Sequence, residues 1–162
     1  MAIYFSDEAQ VRAAHLVNVT EKTDATRRVL SNNSGSQVSD LWDMGTINKK
    51  ESGSIIVCTG TLIATSPNNS GHVMPHFTLH NSRYRGGWWY NYAQGHSYAC
   101  AVPIGWSVTG ETATGNIAVK LEWGAGGGGG EKPFGIVNAN QNDDSRMSGG
   151  VYSRALLWEV LL

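Results

Sequence analysis

The chain has 162 residues, 41% hydrophobic and only 15% charged, with a formal net charge of −1. That length fits one domain plus an arm, or two small domains. Arg27-Arg28 and Lys49-Lys50 are isolated basic pairs, so a nucleic-acid partner held through its phosphates is not expected. No run reaches the ~18 apolar residues of a membrane span. The start, Met-Ala-Ile-Tyr-Phe-Ser-Asp-Glu, lacks the basic start and apolar core of a signal peptide, which implies synthesis in the cytosol. Asn18-Val19-Thr20, Asn32-Asn33-Ser34 and Asn68-Asn69-Ser70 fit a glycosylation pattern but read as turn or arm residues without a secretory signal. Twenty Gly, abundant Ser, Thr and Asn, six Trp and six Tyr describe apolar strands joined by many turns.

In chain order, Ser6-Asp7-Glu8 before Ala-Gln-Val-Arg-Ala-Ala predicts a short helix capped by Ser6. Leu16 to Thr20 reads as a strand. Glu21 to Ser39 is polar and weakly periodic, with too little apolar surface for a core. Residues 1–45 therefore read as an arm or attachment segment, and 46–162 as the folded domain. Gly53 to Thr65 is dense in β-branched residues and closes in Ser66-Pro67-Asn68-Asn69-Ser70-Gly71, strong turn chemistry. Val73 to His80 alternates, with Pro75 marking an edge or a strand start. Ser97 to Val108 is apolar, and Pro103 and Gly105 predict a bulge or break within it. Gly115 to Trp123 is the cleanest strand, with Ile117, Val119, Leu121 and Trp123 on one face. Gly126 to Gly130 reads as a flexible loop. The last segment, Val151 to Leu162, is apolar on both parities, broken by Ser153 and Glu159. Such a strand needs packing on each side, which implies a core on one face and a neighbouring subunit on the other. Glu159 tests the assignment: buried near a symmetry axis, it would need Arg154, Lys120 or water. The count of seven or eight short strands after residue 46, with no helix between them, predicts an antiparallel sandwich or barrel.

Candidate chemistry is sparse. Cys58 and Cys100 lie in apolar segments and read as buried free thiols, with a cross-strand disulfide the lesser alternative. His72, His76 and His80 share a strand face but spread over more than ~25 Å at ~3.3 Å per residue, so one chain could not chelate an ion with all three. Three copies of His76 or His80 around a threefold axis could; solvent-facing histidines are the preferred reading. Asn138, Asn140, Asn142, Asp143 and Asp144 offer oxygen ligands, but their spacing departs from a calcium loop, and a self-capped turn fits better. No metal or cofactor is expected. Glu131 follows the glycine run where a phosphate loop needs Lys, and no Gly-x-Ser-x-Gly elbow exists, so no catalytic residue is assigned. Arg83, Tyr84, Arg85, Trp88, Trp89, Tyr90 and Tyr92 form the densest aromatic and basic cluster. Its members suit core and subunit packing first, and stacking on a glycan second.

Several segments together resemble the small jelly-roll virion proteins of tailed bacteriophages, the capsid decoration proteins and head- or tail-fibre domains. The resemblance rests on Gly53-Ser-Ile-Ile-Val-Cys-Thr-Gly-Thr-Leu-Ile63, Thr112-Ala-Thr-Gly-Asn-Ile-Ala-Val119, the Lys132-Pro133-Phe134 turn and Ser153-Arg-Ala-Leu-Leu-Trp-Glu-Val160. It covers about two thirds of the chain and does not extend to the first 45 residues. Such domains look like the trimeric tumour-necrosis-factor-like jelly roll, whose last strand lies near the subunit interface. The resemblance thus implies an all-β, antiparallel jelly-roll sandwich of about eight strands with an N-terminal arm. It further implies a non-enzymatic homotrimer on the virion surface, assembled in the host cytoplasm and docked on capsid, portal or tail. Leu157, Trp158, Val160 and Leu162 are the interface residues expected on this basis. A carbohydrate-binding receptor-recognition module at a tail-fibre tip, using the Arg83–Tyr92 cluster on a host surface glycan, is the alternative.

Overall fold

The alternation that marks Gly115–Trp123 in the sequence becomes the middle of a sheet. The computed structural model describes residues 14–29, 38–65, 71–73, 75–85, 89–91, 99–124, 136–138 and 152–161, and every regular element among them is a β-strand. The strands are β1 (His15–Asp24), β2 (Arg28–Val29), β3 (Val38–Lys49), β4 (Ile55–Thr65), β5 (Gly71–Val73) and β6 (Pro75–Leu79), then β7 (Ser82–Arg85), β8 (Trp89–Asn91), β9 (Ala99–Val108), β10 (Gly115–Gly124), β11 (Ile136–Val137) and β12 (Ser153–Leu161).

Two antiparallel sheets, each four strands wide, make a β-sandwich. In the first, β9 pairs along the whole of β4, while β12 and β11 share the other edge of β4 end to end. β1 and β2 lie outside β12 and β11, so the order across the sheet is β1-β12-β4-β9. In the second sheet the order is β3-β10-β6-β7. A short ribbon of β5 and β8 stands apart.

The core fills the space between the sheets. Ile56, Cys58, Leu62, Val102, Ile104, Val108, Ala155 and Leu157 come from the first sheet; Leu41, Trp42, Met44, Ile47, Phe77, Leu79, Ile117, Val119 and Leu121 come from the second. Each large aliphatic or Phe side chain so buried contributes ~1.5–3 kcal/mol relative to exposure. The Phe77 and Trp106 rings stack at 5.5 Å across the two sheets.

Several sequence expectations change here. The boundary expected at residue 45 falls inside β3, and β1 and β3 are members of the two sheets; the described part of residues 1–45 is sheet, not a separate arm. The strand expected at Leu16–Thr20 lies within β1, which takes an edge of the first sheet. Its inward side chains Asn18, Thr20 and Lys22 are polar, and Asn18 and Lys22 donate to the carbonyls of Asn48 and Thr46 on β3 (3.5 and 2.8 Å). β3 conceals itself because its pairing with β10 slips twice, between Ala118 and Lys120 and again between Leu121 and Glu122. Each slip gives β3 an extra residue and shifts its inward parity, which explains why Leu41, Trp42, Met44 and Ile47 are all buried. Gly45, at φ +72, supplies the left-handed residue at one bulge, and its N–H donates to Asp43 Oδ1 (2.8 Å). The bulge or break expected at Pro103 and Gly105 does not occur; β9 pairs with β4 through ten successive positions. Among the described residues β9 pairs only with β4, so a proline N that faces the other side leaves no donor missing from that pairing.

The thiol reading holds for Cys58, which is buried and free; desolvation pushes its thiol up to about 12. Cys58 lies opposite Trp106, whereas Cys100 lies opposite Ala64. Six residues of strand rise, ~20 Å, separate the two cysteines, far beyond disulfide reach. The proposed helix at Ser6, the glycine run 126–130 and the Lys132-Pro133-Phe134 turn lie outside the described residues.

β12 passes close to β4 at Gly60. A Cβ there would sit 2.2 Å from the Arg154 carbonyl oxygen and 2.7 Å from Ala155 Cα. Gly105 faces only an ordinary 3.9 Å contact with the Cys58 carbonyl. Gly60→Ala is expected to lower unfolding free energy by about 1–3 kcal/mol through forced separation of two core strands. Gly105→Ala is expected to stay within about 0.5 kcal/mol of the parent. Urea denaturation of the two variants side by side checks the pair.

Candidate functional site

β12 alternates strictly in burial. Ser153, Ala155, Leu157 and Glu159 point into the sandwich, while Leu156, Trp158 and Val160 stand half-buried on the outer face and Arg154 is exposed there. The four interface residues expected from sequence are therefore not one surface. Leu157 is a core residue, 2% exposed; Trp158 and Val160 share the outer face; Leu162 lies outside the described residues. The odd parity of the two-sided apolar pattern meets the chain's own second sheet.

The pairing registers assemble the outer face row by row. Leu16, Val160 and Ile55 align across β1, β12 and β4; Val19, Trp158 and Val57 form the next row; Glu21, Leu156 and Thr59 the third; Thr23, Arg154 and Thr61 the fourth. The first two rows are wholly apolar, and the face turns polar toward the fourth. Leu16 and Val19 are 56% and 40% exposed. The Trp158 indole N–H donates to Thr59 Oγ1 on the neighbouring strand (3.1 Å). Arg154 pairs with Glu21 at 2.8 Å, both about half exposed, an ion pair worth little in stability. The outer face of an antiparallel sheet is ordinarily polar; a contiguous apolar one marks a contact surface.

Two polar clusters fasten β12 from behind. At one end the Glu159 carboxylate, 3% exposed, accepts hydrogen bonds from the backbone N–H of Lys50 (2.9 and 3.0 Å) and Glu51 (2.8 Å) and from the Ser54 hydroxyl (2.7 Å). Arg154, one of the partners expected from sequence, pairs with Glu21 on the outer face. Successive amides of the turn before β4 meet Glu159 instead. Burial opposes ionisation of Glu159, but the amides of Glu51 and Lys50, the Ser54 hydroxyl and the Lys49 ammonium outweigh it and hold its pKa below the ordinary glutamate value.

At the other end the Ser153 hydroxyl donates to Asn138 Oδ1 (2.6 Å) and accepts from the Ile63 N–H (3.0 Å). Asn138 in turn donates through Nδ2 to Asp24 Oδ2 (2.9 Å) and the Thr26 carbonyl (3.1 Å). Arg28 grips both Asp24 oxygens, and the Thr26 N–H donates to Asp24 Oδ1 (3.0 Å). Burial works against the Asp24 charge, yet the Arg28 and Thr26 bonds prevail and its pKa is lowered. This network joins the ends of β1, β2, β4, β11 and β12. The sequence reads Asn138 as a self-capping turn residue; it takes the left-handed conformation at φ +53, and its side chain serves distant strands. Asn140, Asn142, Asp143 and Asp144 lie outside the described residues.

Of the aromatic and basic cluster, the side chains of Arg83 and Tyr84 diverge. Arg83 on β7 pairs with Glu122 on β10 (3.1 Å), which also accepts from the Thr78 hydroxyl. Tyr84 turns the opposite way and packs against the core. Arg85 lies opposite His76, Trp89 and Tyr90 lie in β8 opposite Val73 and His72, and Trp88 and Tyr92 lie outside the described residues. The histidines divide too. His76, expected to face solvent, is 5% exposed. His80, at φ +56, occupies the β6–β7 turn, and its Nδ1 lies 3.3 Å from Glu111. Among the described residues no three His, Cys, Asp or Glu side chains group as metal ligands, and no helix is long and apolar enough to cross a membrane.

No protein-family model matches the chain, and no curated protein sequence matches it.

The Asp24 network carries a pH signature. A carboxylate with a lowered folded pKa stabilises above its unfolded value and loses that contribution as pH falls through the folded one. Asp24→Asn is expected to be less stable than the parent at about pH 7, and the gap between them should narrow toward about pH 3. Urea denaturation at both ends of that range, on parent and variant, makes the comparison.

Proposed function

We propose that this chain is a non-enzymatic structural protein of a tailed-phage particle, acting as a homotrimer on the virion surface. The observation that carries the self-association is the apolar outer face of β1, β12 and β4, with Leu16, Val19, Trp158, Val160, Ile55 and Val57 at its centre. A second and third copy are its occupants in this reading. Low charge density there removes any electrostatic barrier to like surfaces meeting, and Trp158 supplies the large, rigid side chain typical of interface hot spots.

The strand order supports the jelly-roll form of the sandwich. The eight principal strands run β1-β12-β4-β9 and β3-β10-β6-β7. Apart from the β6–β7 hairpin, each connection between them passes from one sheet to the other, as paired Greek keys require. The phage assignment rests on the resemblance in the Gly53–Ile63, Thr112–Val119 and Ser153–Val160 segments. Decoration or head fibre is preferred over tail fibre. The docking partner is a capsid, portal or tail protein. The glycan-binding alternative is weaker, because Arg83 is tied to Glu122 and Tyr84 to the core.

Light scattering on the eluting peak is expected to give three times the 17.5 kDa chain mass. Val19→Asp and Trp158→Arg should each shift the protein to the monomer with its circular dichroism retained, and Arg83→Ala should leave the trimer intact. A parent protein that stays monomeric at micromolar concentration overturns the self-association. Electron-microscopic imaging of particles that lack density for this chain on their surface overturns the virion role.

A further inference from the structure

We propose that the turn joining β3 to β4 is a carboxylate receptor filled in cis by Glu159, and that this contact is an acid-released clasp on β12. Two consecutive backbone N–H groups, of Lys50 and Glu51, converge on one carboxylate. Paired amides of this kind form an anion nest. The Ser54 hydroxyl adds a third donor. Lys49, 1% exposed, adds a cation whose Nζ is itself held by the Glu51 carbonyl. The turn belongs to the connection from the second sheet to the first, so the clasp fastens β12 to the crossing between the two.

The acid sensitivity follows from the donor set. Every group that meets Glu159 here offers a proton, and an ionised carboxylate can accept them all. Ser54 has a single hydroxyl proton and two acceptors within reach, Glu159 and the Glu51 carbonyl (2.7 Å). Protonated Glu159 can give its own proton only to Ser54 Oγ, which then turns to Glu51. The amides of Lys50 and Glu51 are left facing a neutral, weaker acceptor in a buried site. The elements around the carboxylate add little else. On β3 the charge acting on it is that of Lys49. Within the turn, Lys50 and Glu51 contribute amides while their side chains are exposed. From β4 come Ser54 just before the strand and Ile56 opposite Glu159 in register, and from β1 comes Asn18, with His15 further along opposite Leu161. On β12 itself Arg154 points to the other face and pairs with Glu21. The lowered pKa of Glu159 fixes the direction: the clasp is closed through the ordinary glutamate range and opens as pH falls below it.

Amide hydrogen exchange of the segment 49–54, corrected for intrinsic rates, tests this on the full chain, with circular dichroism as the monitor of global unfolding. In the parent, protection at Lys50 and Glu51 is expected to fall about tenfold per pH unit below the transition, as release linked to one proton requires, while the sandwich stays folded. Glu159→Gln should exchange fast at every pH and lack the step. In Glu159→Ala, added formate should restore protection of the same two amides, and chloride at equal ionic strength should not. Parent protection that follows global unfolding alone overturns the proposal, as does a pH step that survives in Glu159→Gln. Failure of formate to protect a folded Glu159→Ala overturns the receptor.

Discussion

The register of β12 is the constraint on which the first sheet depends. Side chains alternate along a strand, so a slip of one residue would exchange every inward group for an outward one. Apolar residues alone do not fix that choice here, because Leu156, Trp158 and Val160 could fill a core as readily as Ala155 and Leu157. The two polar inward residues decide it. Ser153 finds Asn138 and the Ile63 amide at one end, and Glu159 finds the β3–β4 turn at the other. Slipping by one would withdraw both from the donors and acceptors that meet them and leave hydrogen bonds unmade. With β12 held in place, β1 falls into position beside it, and the residues left on the outside become the apolar face.

The same logic explains how much was readable in advance. β4 and β10 announce themselves, because both lie between neighbours and alternate or saturate with apolar residues as interior strands do. The two environments of β12 were legible as well, but not which was which: the groups that answer Glu159 are backbone amides, and amides leave no mark in a sequence. The Leu16–Thr20 strand was legible and is the heart of β1, but its membership of the main sheet was not, because an edge strand at the side of a sandwich turns polar side chains inward. β3 was missed because a strand with two bulges loses its period. Within the Arg83–Tyr92 cluster, neighbours in sequence need not be neighbours in space. In a strand, Arg83 and Tyr84 leave from opposite faces, and the fold sends one to a carboxylate and the other to the core.

Polar chemistry in this chain is concentrated at the margins of the sandwich. Asn18 and Lys22 cover carbonyls on the free edge of β3, so that edge cannot readily accept a foreign strand. Pro103 and Gly105 make β9 a poor template on the opposite side. The β3 and β9 edges, one in each sheet, thus discourage strand addition, whereas the outer face of β1, β12 and β4 is apolar in its first two rows.

Cys58 adds a property of a different kind. Its thiol is fully enclosed and its ionisation is suppressed, so an alkylating reagent or oxidant in solution finds neither access nor thiolate. Chemical modification at Cys58 must wait for the two sheets to part. Its rate is therefore a clock for the opening of the whole sandwich, read at one sulfur atom placed by the fold at the centre of β4.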